Sequence, residues 1–452
     1  MKPDCRILAI MGSGETSPTM VTIHKTLAKR VGGADAILLD TPYAFQENAA
    51  DISSRAVSYF ATSVGLDVTV LAAATADSTP IAADSVAAST AETASTGETA
   101  STGNTAGSSD AAGSSDAARD AAKVRAADWV FAGPGSPSYA LSRWRDRPLG
   151  QALRERIASG TGVTVLASAA AATAGLYAVP VYEIYKVGAP PHWLPGLDLL
   201  AAAGLRVVVI PHYDNAEGGT HDTRYCYLGE RRLAVMEREL PADAAVLGVD
   251  EHTAVIFDLV ADTAEVRGRG SLTIRKDGVS TVLRAPVVLP MADLRATIRT
   301  GALAVTPAAA PAPVPGQREP DSPPPLTEVV ERAEREFEVA LAAGDGTRLI
   351  MTILDLENAV HAWMADTDED QGTDQARAVL RGMIGRLDEV VTEGLRVPAD
   401  KLRPAVGPLV ELRSMLRVEG RYAESDAIRA ALAACGVQIA DGADGTWWAV
   451  AT

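Results

Sequence analysis

The sequence predicts an α/β fold, a mostly parallel sheet sandwiched by helices, followed by a C-terminal all-α domain. Two observations lead to this prediction. Short runs such as Ala36-Ile37-Leu38-Leu39 and Val207-Val208-Val209-Ile210 are apolar at every position and alternate with helical patterns, as in strands buried on both faces of a parallel sheet. Beyond residue 326 the apolar spacing becomes helical throughout.

In chain order, the strands are predicted at residues 6–11, 36–40, 67–71, 127–132, 162–167, 205–210 and 245–256, the last interrupted by an acidic turn. A β-hairpin is predicted around Lys276-Asp277-Gly278. Helices are predicted between the strands, for example over residues 48–63. The alternation therefore extends over most of the first 300 residues.

Changes in composition divide the chain into domains. Residues 1–302 form the α/β domain, in which the Ala, Ser, Thr, Gly and Asp-rich stretch 74–118 is predicted to be a disordered insertion. Residues 303–326 are a Pro/Ala-rich linker. The last domain, 327–452, contains predicted helices at 329–342, 348–365, 374–393, 403–416 and 425–434 and carries most of the negative charge.

Composition excludes several classes of function. The net charge of -17 argues against a general affinity for nucleic acid or anionic membranes. No segment is long and apolar enough for a membrane span or a signal peptide, and the three cysteines indicate neither a disulfide framework nor a zinc site. We therefore expect a cytoplasmic protein without a cofactor.

Ser168 lies between a β-branched run, Gly162 to Ala167, and an alanine-rich run that favours helix. A serine on such a strand–turn–helix junction is exposed at the sheet edge, as in a nucleophile elbow. The glycines usual beside such a serine are replaced by Leu166 and Ala170. The alternative interpretation is that Ser168 only caps the helix.

His212 follows the apolar run 205–210, at the strand end where parallel α/β sheets build their sites. One interpretation makes His212 the general base for Ser168, oriented by Glu183, although Glu183 could instead pair with Lys186. A second interpretation is a metal site whose ligands come from the loop that follows the strand, namely His212, Asp214, His221 and Asp222. A third treats this segment as a solvated loop with one core histidine.

From Met1 to about Gly301 the chain resembles the peptidase E and cyanophycinase group of serine hydrolases, which have a class I glutamine-amidotransferase-like fold, similar to flavodoxin. The matching residues are Ser168-Ala169, Ile210-Pro211-His212-Tyr213 with Arg224 and Arg232, and Gly248 to Ala254. The resemblance implies Ser168 as nucleophile, His212 as base and Glu183 as the orienting acid. It also implies cleavage of a small peptide or amide substrate.

The backbone N–H groups of Ala169 and of Gly133 or Gly135 are the predicted oxyanion donors, because both glycines lie in the turn after the strand at 127–132. Candidate substrate-binding residues are Arg224, Arg232 and Asn215. For the two arginines, the resemblance to aspartyl-cleaving enzymes implies that they receive a substrate carboxylate.

The last forty residues, with Leu412 to Arg429 and Gly445-Thr446-Trp447-Trp448, resemble the helical C-terminal region of cysteinyl-tRNA synthetase. The synthetase's nucleotide-binding and zinc-binding motifs are absent from the sequence, so aminoacylation is not expected. The alternative hypothesis for the whole chain is therefore a non-catalytic amidotransferase-like protein whose helical domain binds tRNA or a protein partner. Arginines at helical spacing in 413–429 form either a basic stripe or intrahelical ion pairs.

Overall fold

The computed structural model of the chain describes residues 5–32, 35–73, 109–216, 221–303, 308–309, 324–364, 372–394, 399–442 and 445–450. These residues belong to two compact units. The first unit is formed by Met1–Val329 with Asn358–Asp374, and the second by Val330–Glu357 with Gln375–Thr452.

The strands among the described residues are β1 (Arg6–Met11), β2 (Ala36–Leu39), β3 (Val68–Leu71), β4 (Trp129–Ala132), β5 (Gly162–Ala167), β6 (Tyr177–Ala178), β7 (Leu194–Pro195), β8 (Val207–Ile210), β9 (Ala245–Val249), β10 (Thr253–Asp258), β11 (Thr263–Gly268), β12 (Ser271–Lys276), β13 (Val279–Arg284), β14 (Val287–Pro290), β15 (Ala308–Ala309), β16 (Val437–Gly442) and β17 (Gly445–Val450).

The α-helices in the same parts of the chain are α1 (Val21–Val31), α2 (Ala49–Tyr59), α3 (Ser109–Ala126), α4 (Pro137–Trp144), α5 (Pro148–Ser159), α6 (Ser168–Ala172), α7 (Val181–Tyr185), α8 (Gly229–Glu237), α9 (Met291–Thr300), α10 (Leu326–Ala343), α11 (Gly346–Trp363), α12 (Thr373–Gly394), α13 (Ala399–Val418) and α14 (Tyr422–Ala434).

The main sheet of the first unit has the strand order β15-β14-β11-β10-β1-β5-β4-β2-β3. Its half from β1 to β3 is parallel, and β10, β11, β14 and β15 continue it as an antiparallel extension. A helix follows each of β1, β2, β4 and β5, as the alternation predicts. The α/β fold class is therefore confirmed.

Side chains of β1 show why helices cover both faces of this sheet. Leu8 and Ile10 belong to one buried apolar cluster, whereas Ile7, Ala9 and Met11 belong to another. Since alternate residues of a strand point to opposite faces, an uninterrupted apolar run must be buried on both sides. The all-apolar pattern of the sequence is explained by this double burial.

The second sheet, in the order β13-β12-β9-β8, brings two turns together. β8 and β9 are parallel, with Ile210 opposite Gly248. Because parallel strands end at the same edge, the residues that follow Ile210 and Val249 become neighbours. The hairpin predicted at Lys276-Asp277-Gly278 joins β12 to β13.

The predicted disordered insertion differs from the structure at its C-terminal end. Residues 74–108 lie outside the described residues, but 109–118 are the first part of α3. Alanine favours helix, Arg119 and Lys123 each pair with an aspartate three residues before them, and Ala121 and Val124 are buried. The two buried positions lie just beyond residue 118, and the helix that they anchor extends back into the stretch that composition alone assigns to disorder.

The second unit contains the predicted C-terminal helices, and it also contains two β-strands that the sequence did not predict. The five predicted helices correspond to α10–α14, and the antiparallel hairpin β16-β17 follows them. Val406, Val410, Leu432, Val437 and Ile439 form a buried cluster between the last helices and this hairpin. Most of the predicted linker, residues 304–307 and 310–323, lies outside the described residues. None of the helices described is long and apolar enough to cross a membrane.

Candidate active site

Ser168 lies on a sharp turn between β5 and α6, as the sequence predicts. Its φ of 46° is in the left-handed region, which a residue with a side chain adopts only when its surroundings enforce it. Leu166, Ala170 and Ala171 are fully buried around the turn. The junction accommodates these side chains in place of the usual glycines, because they point into the apolar core.

His212 is the residue that meets this serine. The Oγ of Ser168 lies 2.9 Å from Nε2 of His212, and both residues are buried. His212 also has a left-handed φ, 47°, two residues after β8 ends. Two distant strand ends thus converge on one hydrogen bond.

Glu251 holds the other side of the imidazole. Its Oε1 lies 3.0 Å from Nδ1 of His212 and accepts a second hydrogen bond, of 3.1 Å, from Nδ2 of Asn215. Burial acts to raise the pKa of the Glu251 carboxyl, but the bonds from His212 and Asn215 outweigh it and leave the pKa below its ordinary value. An ionised Glu251 only accepts, so the proton belongs on Nδ1 and Nε2 is left to accept from the serine hydroxyl.

The structure does not bring Glu183 to this ring, which corrects the expectation that Glu183 orients His212. Glu183 lies on α7, whose buried face is formed by Val181 and Ile184. Residues three apart share a face of a helix, so the Glu183 side chain between them leaves on another side. The carboxylate at Nδ1 of His212 belongs to Glu251 instead.

A signal for Glu251 was present in the sequence. The acidic turn Asp250-Glu251 follows the apolar run 245–249, in the same way that His212 follows 207–210. If the two runs are adjacent parallel strands, both turns lie at one edge of the sheet. The pairing of β8 with β9 was not inferred from the sequence, so this acid was missed.

The candidate oxyanion donors are arranged around the same serine. Gly135 and Ala169 line the cavity that contains Ser168 and His212. Gly133 does not line it, but its carbonyl accepts the Ala170 N–H at 3.1 Å and so ties the two turns together. Gly135 has a φ of 127°, and a Cβ there would lie 2.1 Å from the carbonyl oxygen of Pro42, so glycine is required.

The three candidate substrate-binding residues have other partners. Asn215 is fully buried and supports Glu251, so it does not face a substrate. Arg224 donates from Nε and Nη2 to the two carboxylate oxygens of Asp222, at 2.8 and 2.9 Å. Arg232 donates to the carbonyl of Leu228. Neither arginine is among the residues that line the cavity at Ser168. The contact of either arginine with a substrate carboxylate stays a prediction.

The metal-site interpretation of the loop after β8 has no support in the geometry. Within the described parts of the chain, no three His, Cys, Asp or Glu side chains are grouped to hold a metal ion. His212 bonds Ser168 and Glu251, Asp222 bonds Arg224, and Nε2 of His221 lies 3.4 Å from the Tyr185 hydroxyl. Residues 217–220 lie outside the described residues.

The cavity beside Ser168 has a volume of about 110 Å³. Its lining is mostly apolar and aromatic, and it consists of Gly135, Pro137, Ser168, Ala169, Val181, Tyr182, Pro211, His212, Cys226 and Tyr227. Cys226 N donates to the His212 carbonyl, so the segment that supplies Cys226 and Tyr227 is bonded to the histidine turn. The hydroxyl, the imidazole and the two candidate N–H donors thus share one concave surface.

Asp250 gives the turn at Glu251 an unusual electrostatic environment. Burial, together with the nearby carboxylate of Asp214, raises the pKa of Asp250 to about 7. Both carboxylates also accept a hydrogen bond from a backbone N–H. Asp214 accepts from Glu251 N at 2.8 Å, and Asp250 accepts from Ser271 N at 2.8 Å. The position of Glu251 is therefore fixed by its neighbours on both sides.

In the second unit, the arginines of the predicted stripe are engaged separately. Arg413 is buried and binds both oxygens of Asp441 at 2.8 Å, whereas Arg421 pairs with Glu424. Arg429 donates to the Ile439 carbonyl, and the Arg417 guanidinium lies over the Tyr422 ring. Among these four contacts, the Arg421–Glu424 ion pair at the start of α14 is the local kind that the ion-pair interpretation predicts. Arg413 pairs instead with Asp441 of β16.

Comparisons with known proteins give similarity to several solved structures, including two peptidase structures. No protein-family model and no curated protein matches the chain. A peptidase from an acI-B1 Actinobacterium is similar over 64% of this chain and 98% of its own, with 18% identity and a TM-score of 0.43. A putative peptidase E protein from Listeria monocytogenes EGD-e is similar over 58% of this chain and 98% of its own, with 13% identity and a TM-score of 0.34.

Proposed function

We propose that the chain is a serine hydrolase that cleaves a small peptide or amide substrate through Ser168, His212 and Glu251. The observation that carries the proposal is the continuous row of hydrogen bonds from the serine hydroxyl to the imidazole, 2.9 Å, and from the imidazole to the carboxylate, 3.0 Å. A nucleophile, a base and an orienting acid in this order are the requirements of serine-type acyl transfer. The sequence resemblance to peptidase E supports the same reaction.

In the acylation step, Oγ of Ser168 forms a bond to the substrate carbonyl carbon and its proton passes to Nε2 of His212. The negative charge of Glu251 stabilises the imidazolium that forms. Collapse of the tetrahedral intermediate breaks the bond to the leaving amine, which takes the proton from His212. Water then attacks the acyl carbon while His212 accepts its proton. The bond between the acyl carbon and Oγ breaks, the carboxylic acid leaves, and His212 returns the proton to Oγ of Ser168.

Developing charge on the carbonyl oxygen needs hydrogen-bond donors. The N–H groups of Ala169 and Gly135 are the candidates, because both residues line the cavity beside Ser168. Pro134, between the two glycines of the turn, has no N–H to contribute. Asn215 acts at one remove, by holding the Glu251 oxygen that accepts from His212.

The test is covalent labelling by a serine-directed fluorophosphonate. We expect the native protein to be labelled and Ser168→Ala to remain unlabelled, with the modified peptide identified by mass spectrometry. Ser142→Ala, at an exposed serine of α4, is the matched control and should label like the native protein. Equal labelling of Ser168→Ala and native protein would overturn the proposal.

A further inference from the structure

We propose that the acyl-binding part of this site accepts a small uncharged group and discriminates against an anionic one. This inference rests on the proposed function and narrows its substrate class. It departs from the expectation that Arg224 or Arg232 receives a substrate carboxylate.

The cavity lining supplies no cation among the described residues. Val181, Tyr182 and Tyr227 contribute aliphatic and aromatic surface to this lining. The undescribed residues 217–220 read Glu-Gly-Gly-Thr, so their sequence contains no basic side chain either. An anionic substituent placed here would lose its hydration without gaining a counter-charge.

Three basic side chains of this part of the chain have other partners. Arg224 is bidentate on Asp222, whose carboxyl pKa this ion pair holds well below its usual range. Arg275 is buried and bonds both Glu230 and Glu237. Lys186 lies 5.0 Å over the Tyr185 ring, outside the lining. Each cation would have to give up its present partner to reach a bound carboxylate.

The local charge is negative. The carboxylate of Glu251 lies directly behind His212, and Asp214 accepts from the Glu251 backbone N–H. A second anion at the acyl position would be repelled by Glu251 in a partly buried site, where charges are poorly screened. Burial, charge and lining chemistry therefore favour the same neutral class of substituent.

The volume of the cavity limits the size of the acyl group that it can accept. A cavity of about 110 Å³ is somewhat smaller than the roughly 150 Å³ apolar cavity that holds one benzene molecule. It fits an acyl group with a short aliphatic chain. Tyr182 in the lining is 41% exposed, so the cavity is open to solvent at this residue.

The experiment compares two activated esters of equal chain length on the full-length protein. These are p-nitrophenyl butyrate and mono-p-nitrophenyl succinate, which differ in a terminal methyl or carboxylate. In each case Ser168 bonds the acyl carbon, the bond to p-nitrophenolate breaks, and the serine proton passes to His212. We expect the second-order rate constant of acylation to be at least about 10-fold higher for the butyrate, since 1.4 kcal/mol of unfavourable desolvation gives that factor.

A designed reversal tests the reason. Tyr182→Arg places a cation in the lining and should shift the butyrate-to-succinate ratio toward succinate by about 2- to 5-fold, the scale of a partly exposed ion pair. Val187→Arg, at a site 79% exposed and outside the lining, is the matched control and should leave the ratio unchanged.

The outcomes separate the two proposals. A succinate rate equal to or above the butyrate rate, with Ser168 acylated in both cases, overturns the uncharged-group inference and leaves the serine hydrolase intact. An equal shift of the ratio by Tyr182→Arg and Val187→Arg contradicts the assigned lining. Absence of both acylation and fluorophosphonate labelling at Ser168 overturns the hydrolase proposal itself, and the inference with it.

Discussion

The replacement of Glu251 by glutamine isolates the charge of this residue from its geometry. Oε1 of Glu251 accepts from both His212 and Asn215, at 3.0 and 3.1 Å. The carbonyl oxygen of a glutamine can accept the same two bonds, so the proton stays on Nδ1 of the imidazole. Glu251→Gln therefore removes the negative charge while leaving the ring orientation in place.

The magnitude follows from the spacing. A unit charge about 4 Å from the centre of the imidazolium contributes about 4 kcal/mol at an effective dielectric constant of 20. Loss of that stabilisation in the transition state corresponds to a decrease of about 10³-fold in the rate of acylation, at 1.36 kcal/mol for each factor of ten. Glu251→Ala, which also removes the group that selects the tautomer, should lose about 10⁴-fold.

The assay is the second-order rate constant of fluorophosphonate labelling, measured on native protein, Glu251→Gln and the matched control Glu183→Gln. Glu183 is the acid that the resemblance assigns to this role, and its replacement should change the rate by less than about twofold, because it does not contact His212. Urea unfolding of each variant checks that the fold is retained. A Glu183→Gln defect as large as that of Glu251→Gln, or a Glu251→Gln rate within tenfold of native, would refute the reasoning.

Three further predictions concern the surroundings of the site. Asp250→Asn should increase the free energy of unfolding at pH 8 by about 1–2 kcal/mol, less than the full shift implies because the group is only partly buried. The raised pKa means that the folded state keeps a proton that the unfolded chain releases near pH 3.8. The free energy of unfolding of the native protein therefore falls as the pH rises from about 4 to 7. Urea titrations in which native protein and Asp250→Asn are equally stable at pH 8 would contradict this. Arg156→Met should lower the free energy of unfolding by about 3 kcal/mol, measured as a lower urea midpoint. The reason is that the buried guanidinium donates to four backbone carbonyls and to Thr164. A loss below about 1 kcal/mol would count against that role. Gly133→Ala would place a Cβ 2.6 Å from Oε1 of Glu15. Because overpacking strains the turn, labelling of Ser168 should slow by about tenfold or more. An unchanged rate would show that the turn can move.

The candidate nucleophile and the candidate base were predictable from the sequence because a local pattern encodes the position of each. A β-branched strand that stops at Ser168, and another that delivers His212, are recognisable from propensity and burial alone. Both residues have a left-handed φ, which turns the chain sharply where each strand ends. Turn chemistry and strand patterning act over a few residues, so the sequence determines them directly.

The acid that contacts His212 is determined by long-range strand pairing. Three acids of this chain, Glu183, Asp250 and Glu251, are plausible by type and position, and only Glu251 reaches Nδ1 of the imidazole. Its placement depends on the parallel pairing of β8 with β9, which no local pattern encodes. The same holds for Asn215, whose side chain turns inward to bond Glu251 rather than outward to a substrate.

The sequence by itself determined the α/β class, the helical C-terminal region and the two residues that form the first hydrogen bond of the candidate site. Tertiary structure alone decided which carboxylate completes that row, which arginines are already paired, and that α3 includes the last ten residues of the stretch assigned to disorder. The physical reason is that propensity and hydrophobic periodicity are properties of neighbouring residues, whereas ion pairing and burial depend on which distant strand ends meet.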